Sequence, residues 1–184
     1  MSAPYTRQTW LHPFTCGARV YPLVLALTEA RVEGKELAAK RPSTLLRVGV
    51  SSAFLLRIEP KLVSSPTGWR IAEAIPIKLA WRVDEDTEAA AKLLPNGQYR
   101  LSRWRRDDAR NRRALDLLDQ GLARLADDPR AAFALAADHC GICGRGLSDP
   151  VSRQEGIGPE CRGPFDRAIR RIEQLVMDGP RAAA

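Results

Sequence analysis

The chain has 184 residues, with 29 lysines and arginines against 22 acidic residues, a formal net charge of +7. Hydrophobic residues make up 45% and charged residues 28%, which excludes a wholly disordered chain and fits one ordinary core with at most a small appended module. No run of about 18 apolar residues exists, so no membrane span is expected, and the apolar patch at 20–27, broken by Pro22, carries no cleavage signature.

Residues 1–20 read as irregular, and a helix is predicted over 22–39, with Pro22 tolerated in its first turn. The hydrophobic period then changes from 3.6 to 2. Leu46, Val48 and Val50 alternate with Arg47 and Gly49, Phe54, Leu56 and Ile58 with Leu55, Arg57 and Glu59, and Ile77, Leu79, Trp81 and Val83 with Lys78, Ala80 and Arg82, the pattern of antiparallel strands with one wet face. Ser64 to Gly68 reads as a loop, and Pro76 as a bulge, an edge or a strand break. Asp86 is read as the cap of a short helix to Leu94, with Glu88 and Lys92 as an i,i+4 pair, and 98–104 as a last strand. From Asp107 a helix presents Leu115, Leu118, Leu122 and Leu125 on one face; Asp128-Pro129 then opens a second short helix. The expected fold is α+β: an N-terminal antiparallel sheet with helices over 1–104, a helical connector over 105–138, and a C-terminal treble-clef-like zinc module over 139–184.

The cysteines carry the chemistry. Four are too few for a disulfide scaffold, and three of them, Cys140, Cys143 and Cys161, fall within one short stretch. That clustering points to a metal site in a reducing compartment, so a cytoplasmic location is expected. Cys140-x-x-Cys143-Gly144 is a zinc knuckle: the two-residue gap aims both thiolates at one ion, and Gly144 permits the following turn. The 17 residues before Cys161 are rich in turn formers and long enough for a hairpin. Cys161 then lies in the first turn of a helix with Phe165, Ile169, Ile172 and Val176 on one face, where the dipole favours a thiolate. For the fourth ligand the candidates are His139, Cys16, His12, Asp149 and water; the position three residues after Cys161 is Pro164, which cannot ligate. Two histidines in all exclude chemistry that needs several.

The stretch 139–163 resembles the DUF6011-type zinc-binding domain family of bacteria and phages. It supplies Cys140, Cys143, Gly144, Arg145, Leu147, Ser148, Asp149, Ser152, Gly156, Gly158, Pro159 and Cys161 at that family's positions. The resemblance implies zinc and a nucleic-acid-associated setting, with phages and mobile elements as plausible homes, and implies no reaction.

The charge is local. Arg103, Arg105, Arg106, Arg110, Arg112 and Arg113 give 102–113 a net +4, and Arg162, Arg167, Arg170 and Arg171 give 162–171 a net +3, so the remaining chain is neutral. Arginine forks match phosphate oxygens, and Trp104 between Arg103 and Arg105 offers a stacking platform. On the last helix, Arg167, Arg170 and Arg171 are expected opposite the apolar stripe. No Gly-rich phosphate loop, nucleophile elbow or deaminase signature occurs, so no enzyme activity is expected. The expected function is a zinc-containing, nucleic-acid-binding accessory subunit of a nucleic-acid-processing or defence-related complex. The rival is a protein–protein adaptor or inhibitor that turns the same basic surface to an acidic partner.

Overall fold

The computed structural model describes residues 10–12, 17–32, 45–66, 68–84, 86–101, 109–136 and 138–178. In chain order these form β1 (Trp10–His12), α1 (Gly17–Val32), β2 (Leu46–Gly49), β3 (Phe54–Ile58), β4 (Leu62–Ser65), β5 (Gly68–Ile71), β6 (Ile75–Trp81), β7 (Thr87–Leu93) and β8 (Tyr99–Leu101). The helices α2 (Ala109–Asp127), α3 (Pro129–Ala134), α4 (Pro150–Glu155) and α5 (Pro159–Asp178) follow. The architecture is α+β. Six antiparallel strands pair in the order β1-β8-β7-β6-β3-β2, and β4 with β5 forms a separate hairpin between β3 and β6.

Strand register gathers the apolar residues on one face of the sheet. Leu46 lies opposite Ile58, Ile58 opposite Ile77, and Ile77 opposite Ala91; one step along, Val48 meets Leu56, Leu56 meets Leu79, and Leu79 meets Ala89. Side chains alternate in a strand, so these rows share a face. All of them are buried. Helix α2 crosses that face with Leu118, Leu122 and Leu125 buried and Gly121 against Leu56 and Val50. Leu115 packs instead on a small cluster of Tyr99 and Ala91. Helix α1 packs beside α2, and α5 packs on α1. One hydrophobic core takes residues from α1, the sheet, α2, α3, the cysteine segment and α5, so it runs across the boundaries at 104/105 and 138/139.

Several local expectations differ from the structure. Helix α1 begins at Gly17, so Pro22 lies inside it; its expected extension into 33–39 falls outside the described residues. The predicted helix over 86–94 is strand β7. Its Ala89, Ala91 and Leu93 are buried while Thr87 and Lys92 are exposed, and pairing with both β6 and β8 overrides the helix propensity of an alanine-rich segment. Pro76 marks neither edge, bulge nor break: it lies within β6, between β3 and β7, and the irregularity sits at Leu79/Ala80. The expected hairpin between Cys143 and Cys161 is replaced by the short helix α4, with a single bridge pairing His139 and Gly146.

Candidate metal centre

The cysteine segment is held by backbone hydrogen bonds. Asp128 caps α3, its carboxylate accepting the Ala131 N–H at 3.0 Å, and α3 delivers the chain to the knuckle. There the Cys140 carbonyl accepts the Gly144 N–H at 2.8 Å, and the Cys140 N–H donates to the Arg145 carbonyl at 2.8 Å. Gly144 has φ +70, the left-handed turn that the motif requires. Asp149 caps α4 by accepting the Ser152 N–H at 2.9 Å, Pro150 occupies the first turn, and Gly156 closes the helix at φ +65. The Gly156 carbonyl accepts the Gly141 N–H at 2.8 Å, tying the end of α4 to the knuckle.

The three thiol sulfurs lie within 4.8 Å of one another. A tetrahedral ion with metal–sulfur bonds of about 2.3 Å needs sulfur–sulfur separations of roughly 3.8 Å, so small side-chain adjustments suffice. Cys140 and Cys161 are buried and Cys143 is half-buried, with Ile142, Leu147, Ile157 and Phe165 in the same core cluster. This is a donor set that can hold a metal ion. The segment is also docked on the edge of the sheet: the Arg47 N–H of β2 donates to the Gly141 carbonyl at 2.6 Å, and the Arg31 guanidinium of α1 donates to the Ile142 carbonyl.

Among the protein's own groups the sulfurs share protons unequally. Cys140 is held well below the usual thiol range by hydrogen bonds from Cys143 and then Cys161, and the Gly158 N–H also donates to its sulfur at 3.4 Å. Cys161 is pushed up as the donor to Cys140 and Cys143 and by burial. A bound cation reverses that balance by displacing the protons of all its ligands.

His139 and Asp149 do not join this group. His139 is exposed and lies outside the set of three thiols, and Asp149 is committed to the cap of α4. His12 belongs to β1, the sheet edge opposite β2 where the knuckle docks, about 24 Å across five strand spacings. Cys16 lies outside the described residues.

The basic candidates divide. Arg103, Trp104, Arg105 and Arg106 lie outside the described residues, Arg110 sits in the first turn of α2, and Arg112 and Arg113 are exposed on it. On α5, Arg167 donates to the Ala30 carbonyl at 3.3 Å and Arg171 pairs with Glu29 at 2.9 Å. Both are exposed, away from the buried Phe165 and Ala168, and their long side chains reach back to α1. Arg162 pairs with Glu155 at 2.7 Å, and Arg170 is exposed. Sequence reading passed over Arg31 and Arg47, whose contacts with the knuckle depend on tertiary packing.

Residues 130–165 match the model of DUF6011, a family of unknown function. This is the same family that the motif resembles, over a segment of the chain only. No curated protein and no solved structure matches the chain. Among the described residues no helix is long and apolar enough to cross a membrane.

Proposed function

We propose that the protein is a non-catalytic zinc protein that binds nucleic acid as an accessory subunit of a larger nucleic-acid-processing or defence-related complex. The observation that carries the reading is the convergence of Cys140, Cys143 and Cys161 in a segment fastened to the sheet. A soft, mostly buried thiolate set suits zinc, which here would hold the knuckle and α5 together. The fourth donor is water or a His139 that swings in from solvent. The nucleic-acid half is supported by the +7 charge and the exposure of Arg112, Arg113 and Arg170.

Metal analysis and nuclease-controlled capture from the native host test it. One zinc per folded chain, with nucleic acid recovered before nuclease treatment and lost after it, is the expected result. A folded, metal-free protein refutes the zinc reading. A protein partner retained after nuclease and high salt refutes the nucleic-acid reading in favour of an adaptor.

A further inference from the structure

The last turn of α1 reaches both halves of the candidate metal centre through three consecutive residues. Glu29 pairs with Arg171 of α5 at 2.9 Å, the Ala30 carbonyl accepts the Arg167 guanidinium of α5 at 3.3 Å, and Arg31 donates to the Ile142 carbonyl of the knuckle. Helix α5 carries Cys161, and the knuckle carries Cys140 and Cys143. The turn is itself fixed in place, because Val24, Leu27 and Ala30 are buried in the shared core.

The knuckle depends on that reach. Its loop from Cys140 to Cys143 has three backbone carbonyls before the second thiol. The Cys140 carbonyl accepts the Gly144 N–H, a bond made within the knuckle. The other two are met from the N-terminal half of the chain: Gly141 by the Arg47 N–H of β2, and Ile142 by Arg31. Neither donor falls within residues 130–165, the segment that matches the family. The Ile142 carbonyl belongs to the planar peptide unit that carries the Cys143 N–H, so its partner sets the backbone leading into Cys143. Ile142 is buried, and a buried carbonyl left without a donor is costly. An empty loop can relax towards water and a loop closed on an ion cannot, so the loss of Arg31 falls chiefly on the metal-bound state. Charge acts in the same direction. Three thiolates and one divalent cation carry one net negative charge, which a guanidinium seated on the adjoining residue offsets.

We infer that Arg31 is a positioning residue of the metal centre, supplied by α1 from outside the family segment, and that it raises metal affinity by holding the Ile142 carbonyl. The inference rests on the metal reading above and adds to it a residue that the cysteine motif does not contain. Partners that orient the ligands of a metal in this way change its affinity by about ten- to a hundredfold.

The test measures zinc affinity of the full-length chain by competition with a chromophoric chelator, and thermal melting with and without zinc. Arg31→Gln binds zinc about tenfold more weakly than the parent. Arg31→Lys, which keeps the charge and a donor, recovers most of that loss. The zinc-induced rise in melting temperature shrinks in Arg31→Gln in step with the affinity, a change that a merely structural role does not produce. Arg112→Gln, exposed on α2, removes the same charge elsewhere and binds zinc like the parent. An Arg31→Gln chain that binds zinc as tightly as the parent, or that melts lower by the same amount with and without zinc, overturns the inference and leaves the metal reading standing. A parent chain that takes up no zinc overturns both.

Discussion

Gly156→Ala is the most exacting perturbation of the cysteine segment, because two separate costs fall on one methyl group. The residue has φ +65, where a side chain costs an L-residue about 1 kcal/mol. A Cβ there would also stand 2.2 Å from both the carbonyl carbon and the oxygen of Phe133 and 2.4 Å from the Ala134 nitrogen. All three are backbone atoms of α3, so no side chain can swing aside; α3 and the end of α4 must separate, at an overpacking cost of about 1–3 kcal/mol. That movement also pulls on the hydrogen bond from Gly141, worth about 1 kcal/mol. The total is roughly 3–5 kcal/mol, a large fraction of an ordinary domain's stability, and lowers the melting temperature by about 10 °C. Two controls separate the terms. Gly144→Ala has the same left-handed backbone, φ +70, but its Cβ meets only the tip of Arg47 at 3.6 Å, so it costs about 1 kcal/mol. Gly146→Ala meets nothing within 4 Å and leaves stability almost unchanged. Urea unfolding of the three variants side by side, with m-values compared, reads these differences. A Gly156→Ala protein no less stable than Gly144→Ala refutes the close packing of α3 against α4.

Cys161→Ala removes a sulfur from the trio, so the chain should lose its metal and unfold at a lower temperature, measured by metal analysis with calorimetry. His139→Ala should keep one metal per chain, since the imidazole faces solvent outside the thiol group; loss of metal would make it a ligand. The Asp149 carboxyl is held below its usual range by hydrogen bonds from the Ser152 hydroxyl and N–H. Its contribution is present above the unfolded pKa of about 3.9 and lost as pH falls through the lower folded value, so Asp149→Asn should flatten the acid limb of a stability–pH profile. Burial and the 2.7 Å bond to Asp119 hold the Tyr99 phenol above its usual range, so it favours the fold below about pH 10 and ceases to as pH rises further. Tyr99→Phe should cost about 1 kcal/mol at neutral pH and unfold less steeply in alkali, as followed by circular dichroism.

Periodicity made most strands and both long C-terminal helices legible, because a half-buried strand or helix must repeat its apolar residues in step with its geometry. Thr87 to Leu93 misled for a definite reason: Ala89, Ala90 and Ala91 suit a helix intrinsically, and only pairing with β6 and β8 decides for a strand. Helix α4 was within reach. Asp149-Pro150 repeats the cap and first-turn proline of Asp128-Pro129, which open α3, and it opens α4 in the same way, although the turn formers around it also suit a hairpin. The thiol trio was visible in the spacing of Cys140, Cys143 and Cys161. The contacts of Arg31 and Arg47 with the knuckle were not, because only tertiary packing brings those distant residues to Ile142 and Gly141.

The candidate metal site and the sheet are joined through one residue. The Arg47 N–H holds the Gly141 carbonyl of the knuckle, while its guanidinium, directed to the wet face by its register with Arg57, lies beside Gly144. Strand β2 ends the sheet on this side, and an uncovered edge would leave backbone donors without partners. The knuckle supplies one of them. Disordering the cysteine segment therefore releases β2 where Arg47 stands, and the shared core carries the disturbance on to α1 and α5. A metal ion held by the three sulfurs would consequently act beyond them, by keeping the outermost strand of the sheet in register.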